Sequence, residues 1–288
     1  MLFLNAVTSF VHHLEELKRS PQTVISHRDN LTRFYNYLTR IYNRPLYVDE
    51  ISPDDFEKYI YDSPRGQNFS SSTRAVLTVA FKSFYSFCYK KAICDNNVGK
   101  QVAWIKAKVK ERPFLTEVEI KQIVAKLEVP AHKAVIQTLY YAGLRVGEAL
   151  NLKIRDIAFD EGYMEIKTQK SIDNRKIPIN KKLETILKEY ISQHRRRSSK
   201  NDNVFVLGTR GTLSEHHLGR NLRKAAKVVG IKTKVTTHIM RHSFASNLVA
   251  LGADVVKVQK LLGHRSLATT NIYLHADVNE LKKAVNAI

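Results

Sequence analysis

The chain has 288 residues, with 47 Lys plus Arg against 27 Asp plus Glu, a formal net charge of +20. A hydrophobic content of 43% is enough to bury a core, which excludes a disordered basic tail. Two cysteines, Cys88 and Cys94, build neither a disulfide framework nor a zinc cage alone, and no apolar run reaches the ~18 residues of a membrane span. The run from Met1 to Val11 lacks a basic leader and is interrupted by Asn5, Thr8 and Ser9, unlike a secretion signal. The expectation is a soluble, cytoplasmic protein with no membrane partner. The excess charge lies in both halves: residues 1–110 hold 16 basic and 10 acidic residues (net +6), and residues 111–288 hold 31 and 17 (net +14). A positive field spread in this way suits a partner with a polyphosphate backbone.

The first hundred residues read as helices. Leu4, Val7, Val11, Leu14 and Leu17 fall at helical spacing. Ser20-Pro21 places an N-cap before a proline at the first helical position, opening a helix through Tyr42, and Ser52-Pro53 repeats the device before Phe56, Tyr59 and Ile60. A fourth helix is predicted from about Ser72 to Lys91, carrying Val76, Val79, Ala80, Phe84 and Phe87. The segment Lys106, Lys108, Lys110, Arg112, Pro113 is basic and ends in a helix breaker, so it reads as an interdomain linker able to track phosphates, or equally as a solvated loop. Thr116 and Glu119 form a capping box that opens a second domain. There, Tyr163–Lys167 and Arg175–Ile179 read as paired strands around a polar turn at Gln169–Asn174, and Val204–Leu207 is a candidate third strand. Ser214 is expected to cap a helix to Val229 that Gly230 ends. Shorter helices are expected at His238–Leu251, Asp254–Leu262, Leu267–Leu274 and over the last ten residues.

Three strings carry chemistry: Gly143-Leu144-Arg145-Val146-Gly147-Glu148-Ala149-Leu150, then His238-Ile239-Met240-Arg241-His242-Ser243-Phe244-Ala245, then Leu262-Gly263-His264-Arg265-Ser266 followed by Tyr273. His238 and Arg241, three apart on a helix, share a face and can converge on one small anion. Arg241 can hold two oxygens of a phosphate, and His238 can exchange a proton near neutral pH. Arg145 follows Gly143 at a turn between two helical stretches. The plainer alternatives are that Arg145 pairs with Glu148, that Glu148 only fixes this turn, and that His238 caps its own helix. Likewise His242 is expected to pack, Arg195-Arg196-Arg197 to be a solvated helix end, and Phe84, Phe87 and Tyr89 to be core. The eleven histidines, His216-His217 and His275 among them, show no zinc-ligand spacing with cysteines or carboxylates, so no metal or other cofactor is expected.

Together, in this order, the three strings and Tyr273 resemble the tyrosine site-specific recombinases, nearest to their Xer-type and simple integrase branch. The resemblance covers essentially the whole chain. It implies a mainly α fold with a small β-sheet: an all-α, SAM-like core-binding domain (1–105), a basic linker (106–115) and an α+β catalytic domain (116–288) with a C-terminal exchange helix. It also implies roles. Tyr273 would attack a DNA phosphorus, leaving a 3′-phosphotyrosine and a free 5′-hydroxyl. Arg145 and Arg241 would hold the non-bridging oxygens, His264 would add a donor, and His238 would accept the tyrosine proton. A lysine in the hairpin turn would protonate the leaving oxygen. The family's usual turn glycine is absent here. Lys170 is the first choice, by its distance before Ile177-Pro178; Lys167 is the second, and Lys176 reads as a phosphate contact or surface charge. The implied partners are double-stranded DNA with paired sites and further copies of the chain in a tetrameric synapse, with a related second recombinase or a DNA translocase as further possibilities. The rival functions are a catalytically silent DNA-binding regulator on the same fold and a type IB topoisomerase.

Overall fold

The computed structural model describes residues 1–106, 113–167, 174–195, 202–207, 211 and 213–263. Lys170, His264 and Tyr273 lie outside the described residues, as do most of the basic linker, the hairpin turn up to residue 173, Arg196-Arg197 and the two helices expected after Gly263. The chain divides into two compact units, Met1–Lys110 and Glu111–Ile288.

The first unit is helical: α1 (Phe3–Glu16), α2 (Pro21–Tyr42), α3 (Pro53–Tyr61), α4 (Ser71–Lys90) and the short α5 (Val98–Gln101). The expected caps form. Ser20 Oγ accepts from the Thr23 N–H at 3.2 Å, and Ser52 Oγ and the Asp55 carboxylate satisfy each other's backbone N–H groups. The core is largely aromatic, with Phe3 stacked on Tyr35 at 5.4 Å and Phe56 on Phe81 at 4.2 Å. Two helix faces differ from expectation. On α1, Leu4 is exposed, as is Leu17 at its C-cap, while Phe3 and Phe10 join Val7 and Leu14 inside. On α4, Val76, Val79 and Tyr89 are exposed, and Leu77, Phe81, Tyr85 and Cys88 are buried with Ala80, Phe84 and Phe87. Apolar residues occupy most positions of α4, so periodicity alone does not choose among faces, and the larger rings take the interior.

The second unit contains α6 (Glu117–Ala125), α7 (Pro130–Ala142), α8 (Val146–Leu150), α9 (Lys181–Glu189) continued by a π-turn at Tyr190–His194, α10 (Glu215–Val229), α11 (Thr237–Ala250) and α12 (Val255–Leu262). Its sheet is β1 (Ile157–Ala158), β2 (Tyr163–Ile166) and β3 (Arg175–Pro178), antiparallel in the order β1-β2-β3. The register opposes Met164 to Ile177 and Ile166 to Arg175. Val204–Leu207 is therefore not the third strand. Val204 and Phe205 are buried, Phe205 lies against the Tyr190 ring, and the segment meets the chain near Lys153 through an isolated bridge at Asn203. A short apolar run fills a core as well without a ladder as with one. The capping box at Thr116 forms as expected, and α11 anchors the start of the unit: Ser243 Oγ accepts from the Leu115 N–H at 2.8 Å, and Asn247 donates to the Leu115 carbonyl at 3.3 Å.

Candidate active site

Gly143 ends α7 in the left-handed conformation, at φ 62°. A Cβ there would lie 2.3 Å from Cδ1 of Phe244, so both the backbone angle and the close approach of α11 require glycine. The turn sets Arg145 at the N-cap of α8, where Glu148, three residues on, reaches back to accept from the Arg145 N–H at 2.8 Å. Both plain readings of these two residues thus hold in part. Arg145 Nη1 also donates to Glu148 Oε1 at 2.8 Å, yet its side chain stays 43% exposed.

Glu148 is the hub of a larger cluster. Arg175, at the start of β3, donates to both its oxygens, Nη1 to Oε1 at 2.9 Å and Nη2 to Oε2 at 2.7 Å. Arg241, buried on α11, brings Nη1 within 3.7 Å of Glu148 Oε2 and donates through the same nitrogen to the Gly143 carbonyl at 2.7 Å. Burial would raise the Glu148 carboxyl, whose side chain is 8% exposed, but the Arg175 fork, the Arg145 N–H and the Arg145 guanidinium outweigh it and hold the group at about 2. Among the described residues, three guanidiniums around one carboxylate leave two positive charges in excess. Cations so arranged suit a phosphodiester, which gains negative charge at a five-coordinate transition state.

The same arginines close the end of α12. Its last carbonyls have no intrahelical partner. Leu261 O accepts from Arg175 Nε at 3.1 Å, Leu262 O from Arg241 Nη2 at 2.5 Å, and Gly263 O from Arg145 Nη2 at 3.2 Å. Gly263 stands immediately before His264.

The structure therefore brings Arg145 and Arg241 together, as their assignment to one phosphate requires. His238 lies one helical turn before Arg241 and is exposed. It does not cap α11; Thr236 does, accepting from the Ile239 N–H at 3.4 Å. His238 instead lines a cavity of about 460 Å³ together with Glu215, His216, Arg223 and Thr237. Lys167 is paired at 2.8 Å with Asp156, which also caps the Lys153 turn. Lys176 points over the Tyr163 ring at 4.1 Å. Sequence reasoning missed Arg175. A signal was present in the strand alternation, because Arg175 shares a face with the buried Ile177, and a cation on that face needs a carboxylate. Among the described residues no three His, Cys, Asp or Glu side chains converge as a metal site would need, and no helix is long and apolar enough to cross a membrane.

The Phage integrase family matches residues 113–280, and the phage integrase N-terminal SAM-like domain matches residues 7–92. Tyrosine recombinase XerC of Pelotomaculum thermopropionicum is 30% identical over 297 residues, which covers 96% of this chain and 95% of that one. Tyrosine recombinase XerC of Thermodesulfovibrio yellowstonii is 28% identical over 288 residues, covering 96% and 93%. In fold, the chain resembles a crystal structure of the XerH site-specific recombinase bound to palindromic difH substrate, with a TM-score of 0.76 at 22% identity over 96% of this chain and 84% of that one. The chain belongs to the phage integrase family and is a tyrosine recombinase of the Xer type, an enzyme of site-specific DNA cleavage and rejoining.

Proposed function

We propose that this recombinase cuts and reseals duplex DNA at paired sites through a 3′-phosphotyrosine on Tyr273, without metal or ATP. The observation that carries the reading is the gathering of Arg145 and Arg241 on Glu148, with positive charge in excess and Arg145 open to solvent. In this account Arg145 and Arg241 grip the non-bridging oxygens of the scissile phosphate, and His264 adds a donor. An ordinary tyrosine titrates at about 10, so its hydroxyl needs a proton acceptor at neutral pH. His238, exposed one turn from Arg241, takes that role. The Tyr273 oxygen bonds to phosphorus as the bond to the 5′-oxygen breaks, and Lys170 delivers a proton to that oxygen. Resealing reverses each step with an incoming 5′-hydroxyl. One phosphodiester is exchanged for another in each step, so no nucleotide hydrolysis is needed. Lys167 is committed to Asp156, which favours Lys170 as the acid.

Residues 1–105 serve as the core-binding domain and 116–288 as the catalytic domain, with 106–115 as a basic linker along the DNA backbone. Four copies act on two DNA sites in the cytoplasm, linked by exchange of their C-terminal helices. A nicked duplex that traps the covalent state tests the chemistry. Labelled on the strand that ends in the scissile phosphate, it should give a protein–DNA adduct that survives SDS, disappears with protease and forms equally in EDTA. Label carried instead by the fragment with the free 5′ end would reverse the polarity of the reaction. Binding with no adduct on any labelled strand would favour the silent regulator.

A further inference from the structure

Arg175 is bound more completely than a surface arginine of a hairpin needs to be. Its side chain is 13% exposed, its fork spans both oxygens of Glu148, and its Nε holds the Leu261 carbonyl. It thus joins three elements: β3, the N-terminus of α8 and the carbonyl end of α12. Gly263 is fitted around it. The backbone there is left-handed, at φ 63°, and a Cβ would meet Arg175 Nη1 at 2.9 Å. Attachment of α12 as such does not depend on this link, since Val258 and Leu262 are buried with Ala245 of α11. What Arg175 adds is orientation. The carboxylate oxygen that takes Arg175 Nη1 also takes Arg145 Nη1, and the carbonyl held by Arg175 Nε begins the run Leu261–Gly263 whose next two carbonyls take Arg241 and Arg145.

The geometry points to Arg175 as a positioning residue for strand cleavage: it fixes Glu148 and the end of α12 together, and so sets the guanidiniums of Arg145 and Arg241 for the phosphate. The inference rests on the assignment of those two arginines to the scissile phosphate. A lysine at 175 keeps the charge but can neither fork across a carboxylate nor donate from Nε while doing so. Misplacing a group that stabilises transition-state charge costs on the order of 100-fold in rate. The defect should depend on the charge of the phosphate, because the displaced groups act on its non-bridging oxygens.

The experiment measures single-turnover adduct formation by the full-length protein on two nicked duplexes, one with the natural phosphodiester and one with an uncharged methylphosphonate at the scissile position. Arg175→Lys should bind both duplexes within about threefold of wild type and cleave the phosphodiester roughly 100-fold more slowly. On the methylphosphonate its deficit should shrink to about tenfold or less, since less charge remains to be stabilised. Gly263→Ala, which crowds Arg175 without removing it, should show the same selectivity with a smaller deficit. Equal deficits on the two linkages in both variants, or wild-type rates in both, would overturn the assignment. Absence of any adduct with the wild-type protein would instead defeat the phosphotyrosine chemistry on which the inference rests.

Discussion

Glu148 shows how single side chains set the properties of this site. Its carboxyl is held at about 2, below the ordinary 4.5, because the surrounding guanidiniums and the Arg145 N–H outweigh the effect of burial. A depressed folded value stabilises the fold above the unfolded value of 4.5, and that contribution is lost as pH falls from there toward 2. The displacement corresponds to about 3 kcal/mol at neutral pH, on a side chain 8% exposed and so little screened. About 2 kcal/mol of it should be gone by pH 3. Urea unfolding at pH 7 and pH 3 should therefore show wild type losing about 2 kcal/mol more than Glu148→Gln over that interval. The glutamine variant should already be the weaker at pH 7, since it leaves three buried or half-buried guanidiniums without their carboxylate. Parallel pH dependences for the two proteins would mean that Glu148 does not carry this linkage.

Among the elements, the hairpin β2–β3 is where the proposed assignment of Lys170 to the leaving oxygen is tested against Lys167. Replacing the bridging 5′-oxygen by sulfur gives a leaving group that needs little protonation. Lys170→Ala should cleave ordinary DNA about 100-fold or more below wild type and recover most of that rate on the sulfur-containing site. Lys167→Ala should lose less and recover little, because its ammonium is occupied by Asp156. Recovery by Lys167→Ala alone would shift the register by three residues. Much of the element plan was legible in the sequence where local chemistry specifies it. Ser20-Pro21, Ser52-Pro53 and Thr116 with Glu119 mark helix starts through their own side chains, and Gly230 marks a helix end through its φ of 83°. The turn at Arg145 and Glu148 was legible for the same reason. What depends on distant partners was not. The buried face of α4, the place of Val204–Leu207 and the two-residue strand β1 follow from packing. The partners of Arg175, Glu148 and the Leu261 carbonyl, are set only once β3 meets α8 and α12 in space.

For the whole molecule, the proposed assembly of copies on DNA is tested through the C-terminal segment. After Tyr273 the sequence predicts a helix that Asp277 would cap, with Val278, Leu281, Ala284 and Val285 at helical spacing. Under the exchange reading that helix docks on a neighbouring copy. A chain ending at Ala276 should bind a single site as well as intact protein at matched salt, but lose cooperative binding of a second copy and form no four-subunit synapse in native gels or light scattering. Normal synapsis by the shortened chain would place the helix on its own domain. The proposed covalent chemistry of Tyr273 is tested by one substitution. Tyr273→Phe removes a single hydroxyl and leaves every basic contact to DNA in place. On the nicked duplex, this variant should bind within about twofold of wild type and give no SDS-resistant adduct. An adduct of wild-type yield in Tyr273→Phe would assign the nucleophile to another residue and overturn the role proposed for Tyr273.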